Sequence, residues 1–474
     1  MVETSKFYIG GQWVAPLEPR QIDVINPATE EVCAVLSLGS AADVDAAAKS
    51  AFAAFPSFSA TTQEQRIALL QKIAVAFERR FEDLAQAMTM DMGSPITFSR
   101  TAQAQSGLDH INTMIEVLKT YQFERMLGST RIVHEPIGVC GLITPWNWPI
   151  NQIVCKVIPA IAAGCTMVLK PSEIAPLSAL IFAEVLHEAG VPAGVFNLVN
   201  GDGPNVGAAI SSHPLIDMVS FTGSTRAGAE VAKAAAPTIK RVAQELGGNS
   251  PNILLDDADL KSAVHYSVTF CFSNSGQSCN SPQRLLVPHK LMDTVKAMAL
   301  EVGLSQKLGS PLDETTDLGP VASAAHFDKI QTNIKTGIAE GAELVMGGIG
   351  RPTGFNKGYF VRPTIFANVT PQMAIAHTEI FGPVLMIIGY ETEAEAIAIA
   401  NDTEFGLSAF VQGSLPRARK VAAKLRAGQV EINAPAPDYF APFGGYKQSG
   451  NGREYGAFGL HDYLETKAIV GYGA

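Results

Sequence analysis

Free cysteine is usually a small buried hydrophobe, yet Cys279 stands in a polar stretch, Ser273-Asn274-Ser275-Gly276-Gln277-Ser278-Cys279-Asn280. Small, hydroxylated and amide neighbours leave backbone N–H groups free to face a reacting centre and give a thiolate hydrogen-bond partners, so Cys279 reads as a nucleophile. The alternative is a structural thiol, the reading given to Cys33, Cys140, Cys155, Cys165 and Cys271, each among mainly apolar residues. A nucleophile attacking a carbonyl needs a donor for the oxyanion and a base. Asn147, wedged in Thr144-Pro145-Trp146-Asn147-Trp148-Pro149, is rigidly held and can aim its amide at a developing oxyanion, where one preorganised donor is worth roughly 3–4 kcal/mol. A cap on the next helix is the other reading. Glu245 is followed by Leu246-Gly247-Gly248, and those glycines give its carboxylate room to swing toward a water beside Cys279; otherwise it is an ordinary surface glutamate.

Two glycine-bearing turns compete for a phosphate. Gly201-Asp202-Gly203-Pro204-Asn205-Val206-Gly207 approximates the dinucleotide fingerprint but has one residue too many before its last glycine,. Phe221-Thr222-Gly223-Ser224-Thr225-Arg226-Ala227-Gly228 runs from a strand into a helix, so backbone N–H groups and the Ser224 hydroxyl can approach an anion at the helix's positive end; a plain serine cap is the alternative,. Lys170-Pro171-Ser172-Glu173 puts a cation and a carboxylate at a strand end, suited to phosphate and ribose hydroxyls or to a solvated turn,.

The elements that must position these residues follow from hydrophobic period. Phe7–Ile9 and Gln12–Val14 flank Gly10-Gly11 as a hairpin, with a further strand at Gln21–Ile25. Helices are expected over Ala41–Phe55, from a capping box at Thr61-x-x-Glu64 to about Met92, and over Ser99–Tyr121,. An extended strand lies near Arg131–Pro136. The apolar run Ile137–Thr144 then opens an alternation: helix 152–163, strand 166–169, helix 176–189, strand 195–199, helix 205–212, strand 218–221, helix 226–236. Such a succession predicts a parallel sheet clothed by helices, with ligands at the carboxyl ends of its strands. A second alternation includes the strands Asn252–Leu255 and Val384–Ile388 and a helix from Glu393 to about Asn401.

With 474 residues, 47% hydrophobic and 17% charged, the chain should divide into two or three well-buried domains,. A net charge of −10 argues against nucleic acid or an anionic membrane as partner,. Six scattered cysteines without a CxxC pair and nine histidines without ligand spacing predict no metal and no disulfide framework,. Met1-Val2-Glu3-Thr4-Ser5-Lys6 lacks an apolar signal core, and a reducing cytoplasm is expected.

Taken in order, PWN at 145–147, KPSE at 170–173, FTGST at 221–225, ELGG at 245–248, GQxC at 276–279, EIFGPV at 379–384 and PFGGxKxSGxGRExG at 442–456 resemble the motifs of the aldehyde dehydrogenase superfamily across nearly the whole chain. The resemblance implies an α/β fold: a Rossmann-type cofactor domain (1–115 and 137–246), an α/β catalytic domain (247–448) and a small β oligomerisation domain (116–136 and 449–474). It implies that Cys279 attacks an aldehyde, that Asn147 and the Cys279 N–H form the oxyanion hole, and that Glu245 activates the water that releases a carboxylic acid. Lys156 is similar to a family lysine proposed to move protons. By the same resemblance, Ile143, Thr144, Trp146, Lys170, Ser172, Glu173, Gly203, Gly207, Phe221, Gly223, Ser224, Leu246, Glu379 and Phe381 bind the dinucleotide. Within that set Lys170 and Glu173 take the adenosine ribose, Ser224 the pyrophosphate, and Glu379 with Phe381 the nicotinamide ribose. Glu173 would repel a 2′-phosphate, so NAD is expected over NADP.

Departures from the family pattern are Asn249 after ELGG, where a structural effect is expected, Ser281-Pro282 after the nucleophile, and the proline-rich loop 434–441. Trp148, Gln152, Cys155, Ser278, Asn280, Tyr439 and Phe443 are expected to line the substrate pocket, with Phe440 beside them. Aromatic walls without an arginine favour a medium-sized apolar or aromatic aldehyde over a semialdehyde acid. The largely apolar strands near Arg131 and at Lys467–Tyr472 should meet a partner's sheet edge, giving a homodimer or homotetramer. A CoA-acylating relative and a catalytically silent binding protein are the alternatives.

Overall fold

In the computed structural model, which describes residues 3–473, the chain builds two large sheets and two small antiparallel ones. Met1, Val2 and Ala474, on which the expectations about the N-terminal stretch and the end of the third unit partly fall, lie outside the described residues. The first sheet runs Gly450–Asn451, Arg241–Glu245, Met218–Thr222, Val139–Ile143, Thr166–Lys170, Phe196–Leu198, Phe7–Ile9, Gln12–Val14 in space. From Arg241–Glu245 to Phe196–Leu198 all five strands are parallel. The strands 139–143, 166–170 and 218–222 are buried throughout, as the continuous apolar runs require for strands covered on both faces,. In chain order the sheet grows outward from Val139–Ile143 first to one side and then, from Met218–Thr222, to the other. Between those two strands the connections part, and there an open α/β sheet leaves a crevice at its carboxyl edge.

Helix Pro149–Ala163 packs beneath that edge with every residue buried. Proline at its first position needs no intrahelical N–H partner, and Gly164 (φ 94°) ends it in the left-handed conformation that glycine adopts without strain,. The second sheet runs Glu343–Met346, Thr364–Val369, Val384–Tyr390, Arg284–Pro288, Pro251–Leu254, Ser408–Gln412, Gln429–Ile432, parallel except for its first member. Helix Leu260–Phe272 leads from it to the nucleophile loop. A third sheet joins Leu464–Ile469, Thr130–Pro136 and Glu124–Leu127, and Gln21–Asn26 pairs with Glu31–Ser37.

Several expectations shift. The capping box uses Thr62 and Gln65 instead of Thr61 and Glu64, because the Thr61 hydroxyl donates to the Phe58 carbonyl that ends the preceding helix. That first helix runs Ala41–Ser59, four residues longer than its sequence signature. The long helix to Met92 is two, Gln63–Arg79 and Phe81–Asp91, parted at Arg80, whose guanidinium pairs with Asp83, Glu184 and Glu188. The C-terminal strand is Leu464–Ile469 and stops short of Tyr472. Gly450–Asn451 pairs with Gln244 and Glu245, extending the first sheet and not the third. Among the described residues no helix is long and apolar enough to cross a membrane, and no cluster of three or more His, Cys, Asp or Glu side chains is placed to hold a metal ion.

Candidate active site

After helix Leu260–Phe272 the backbone takes three consecutive left-handed residues, Asn274 (φ 53°), Ser275 (φ 55°) and Gly276 (φ 72°), and curls back to present Cys279. Such conformations persist only where surroundings over-determine them, and here they do. Asn274 Nδ2 donates to the carbonyls of Asn147 (2.9 Å) and Gln277 (3.1 Å), Gln277 Oε1 accepts from the Ala322 N–H (2.9 Å), and Ser275 Oγ donates to the Gly319 carbonyl (2.8 Å). A Cβ on Gly276 would lie 2.0 Å from the Gly382 carbonyl oxygen, so only glycine fits,.

Asn147 is buried at the end of the first sheet and its Nδ2 donates to the Gln277 carbonyl at 3.0 Å, two residues before the nucleophile. Its own carbonyl receives Gln103 Nε2 (3.1 Å), which also reaches Asn274 Oδ1 (3.3 Å). Gln103 sits in a π-helical turn, Ser99–Ala104, that interrupts the expected helix 99–121 and offsets this side chain toward the site,. The glycines after Glu245 serve close approach more than side-chain swing: a Cβ on Gly248 would stand 2.2 Å from the Cys279 carbonyl oxygen, and one on Gly247 2.3 Å from Glu379 Oε2. Gly248→Ala is therefore expected to displace the nucleophile loop and lower kcat by about 10²-fold while the circular dichroism spectrum is retained; unchanged kcat would deny that approach any importance. Asn249 Nδ2 donates to the Ala376 carbonyl (2.9 Å) and its Oδ1 accepts from Gln283 Nε2 (2.8 Å).

Cys279 opens into a cleft of about 180 Å³ between the two large sheets, with Trp146, Asn147, Thr222, Gly223, Ser224 and Leu246 on one side and Glu379, Phe381, His326 and Lys329 on the other. Burial, then the Glu379 and Glu245 carboxylates, push the Cys279 thiol far above its ordinary range, so it holds its proton at rest,. Burial pushes Glu379 up to about 7 although Gly248 N–H donates to it at 2.8 Å.

Glu245 lies on the other side of the strand end, in a small cavity with Cys155, Arg453, Glu454, Asp462 and Tyr463. Neither of its carboxylate oxygens has a hydrogen-bond partner among the described residues. Burial, then repulsion from Glu454, raise it well above the ordinary carboxylate range. Fully buried Lys156 pairs with Glu454 there.

The chain matches the aldehyde dehydrogenase family over residues 13–469. It belongs to that family. It is 54% identical over its full length to a 3-succinoylsemialdehyde-pyridine dehydrogenase of a Pseudomonas species, covering 99% of that protein. It is also 54% identical to a Pseudomonas syringae aldehyde dehydrogenase C solved as a Cys→Ala mutant with NAD+ and octanal (TM-score 0.99, 100% of this chain and 98% of that one). An aldehyde dehydrogenase of Bartonella henselae superposes with TM-score 0.97 at 48% identity, 99% of each chain being covered.

Within this aldehyde dehydrogenase the other expected residues separate into groups. Ile143 ends the strand at the crevice, and Thr144 follows it with its hydroxyl unpartnered among the described residues. Ser224 caps helix Thr225–Ala235, its Oγ accepting from Ala227 N–H at 3.3 Å, so the cap reading and the cleft position coincide. A Cβ on Gly223 would stand 2.6 Å from the Phe221 ring. Lys170 Nζ donates to the carbonyls of Pro171 (2.7 Å) and Gly201 (2.7 Å) and to Glu173 (3.3 Å). Ser172 Oγ accepts from the Ile174 N–H. Gly203–Gly207 form a π-helical turn capped by Asp202, with Gly207 close to the Lys170 side chain.

Trp148 Nε1 donates to Ser278 Oγ (2.8 Å) and its ring meets Phe98 edge-on. Tyr439 and Phe443 pack with Tyr455, whose backbone is left-handed (φ 71°) and whose ring stacks on Phe443 at 5.0 Å. His110, neutral because burial drives it down to about 3, touches both tyrosines. Gln152 is buried with Oε1 unpartnered among the described residues, and Asn280 is half-buried. Cys155, expected in the pocket, is buried behind it against Glu454. Gln103, His110, His326, Lys329, Glu454 and Tyr455 were not singled out from sequence; only Glu454 and Tyr455 fall in a motif that could have flagged them.

Proposed function

We propose that the chain oxidises an aldehyde to its carboxylic acid through a covalent Cys279 intermediate, with NAD as oxidant. The single observation that carries this is the cleft that Cys279 and Asn147 share with the anion-friendly start of helix Thr225–Ala235, at the crevice of a doubly wound sheet,. The unpartnered Thr144 hydroxyl, the close-packed Gly223 and the carboxylate of Glu379 suit a dinucleotide. NAD, when bound, accepts hydride from the tetrahedral carbon.

The residues of the chain do the rest. Cys279 Sγ releases its proton to solvent water and attacks the aldehyde carbon, and the Asn147 amide with the Cys279 N–H steadies the oxyanion of the thiohemiacetal. Loss of hydride leaves a thioester on Cys279. Glu245 then takes a proton from water, whose oxygen attacks the acyl carbon and frees the thiol. Lys156 and Glu454 stand beside Glu245, the lysine favouring its ionised form and the carboxylate opposing it. NADH absorbance on mixing the protein and NAD with a panel of aldehydes tests the reading. No NADH from any would overturn it, and acyl-CoA formed when CoA is added would favour the acylating alternative.

NAD is preferred over NADP because Lys170 has spent its three N–H donors on protein oxygens, leaving Glu173 to face a 2′-phosphate,. Glu173→Gln is expected to narrow the NAD/NADP ratio of kcat/KM by about tenfold; an unmoved ratio would remove Glu173 from the ribose site. The aromatic wall of Trp148, Tyr439, Phe443 and Tyr455 supports medium-sized apolar or aromatic aldehydes, and a relative binding octanal supports it further. Three units are proposed, one about each large sheet and one about the strands 124–127, 130–136 and 464–469. The exposed Met126, Leu127 and Val470 of the last support a homodimer or homotetramer,.

A further inference from the structure

The cavity behind Cys279 contains a contact that the reaction above does not use. Cys155 Sγ lies 3.2 Å from Glu454 Oε2, while Lys156, the next residue of the same helix, pairs with Glu454 Oε1. Both side chains are buried, and Glu245 shares the cavity. We propose that Cys155 is a positioning residue for deacylation: its S–H donates to Glu454 Oε2 and so fixes the place of that carboxylate between Lys156 and the water-activating Glu245. This rests on the assignment of Glu245 as base.

Charge around the cluster makes the contact consequential. Burial, then the Glu454 carboxylate, raise the Cys155 thiol well above its ordinary range, so it is a donor and not a thiolate. Glu245 faces Glu454, Asp462, Lys156 and Arg453. Tyr455, Tyr463 and Cys279 complete the titratable groups around Cys155 and Glu454. Three carboxylates thus meet two cations, and the repulsion Glu245 feels depends on where its neighbours are held. A donor on Glu454 Oε2 holds that carboxylate in place, and its nearness adds to burial in raising Glu245. Without that donor Glu454 turns away toward Lys156, its repulsion falls, and Glu245 ionises at lower pH.

The sign of the effect separates this role from packing. The test is the pH profile of steady-state turnover with the full-length enzyme, NAD and a saturating aldehyde, under conditions where burst kinetics show deacylation to be limiting. Cys155→Val, apolar and of similar size, is expected to move the acid limb down by about 0.5 pH unit, and Cys155→Ser, a stronger donor, to move it up. Cys155→Ala, which only removes an atom, must move with valine and serves if valine overpacks the helix. Unmoved limbs, or serine and the apolar variants moving the same way, would overturn the proposal. Failure of the base assignment shows differently: Glu245→Gln would then turn over at the parent steady-state rate.

Discussion

Cys279→Ala is expected to abolish NADH formation from every aldehyde, to below about 10⁻⁴ of the parent rate, while NAD still binds. The loss is this large because in the proposed reaction hydride leaves only from a carbon that sulfur has made tetrahedral, and no other described cysteine lines the cleft: Cys155 lies against Glu454 and Cys271 bonds to the Val384 carbonyl. Binding survives because the methyl group keeps the loop's backbone, which is held by Asn274, Ser275 and Gln277 and not by the thiol. Titration calorimetry with NAD and a stopped-flow trace with aldehyde decide the matter. A variant that still turns aldehyde over would end the covalent reading.

Glu245→Gln is expected to separate the two halves of the reaction. One equivalent of NADH per site should form in a burst, after which steady-state turnover falls by about 10²–10⁴-fold as thioester accumulates. The glutamine keeps the volume of a buried side chain whose oxygens have no partner to lose, so stability should hold. The pH sign follows from the surroundings. Burial, then Glu454, hold Glu245 above its ordinary range; as the proposed base it is protonated and idle at low pH, and deacylation is expected to rise with pH as it ionises. The variant should lack that rise. A burst with undiminished steady state would move the role of base to another group.

Much of this machinery was legible because family motifs cluster where strands end. Cys279, Asn147, Ser224 and Glu379 lie together in one cleft although Asn147 and Glu379 are 232 residues apart in sequence. What was hidden depends on distant partners. Glu454 is one carboxylate in a polar stretch until Lys156, 298 residues away, is folded against it. Gln103 reads as one more turn of a regular helix, and only the π turn aims it at Asn147. Two overlapping Thr-x-x-Glu/Gln signatures at 61–65 were chemically equivalent in sequence, and the preceding helix's need for a donor to Phe58 selected the second. The strand Glu124–Leu127 escaped notice because all four of its side chains are exposed and no alternation marks it.

Glu245 ends a strand of the first sheet, whereas Cys279 follows a helix packed on the second, and each sheet has its own hydrophobic cluster. The stretch from Leu246 to Ser250, the Gly248 contact and the bonds that tie Asn147 and Trp148 to Gln277 and Ser278 bridge them. Mild urea, by loosening this seam before either cluster melts, will silence turnover at concentrations that leave the helical signal untouched.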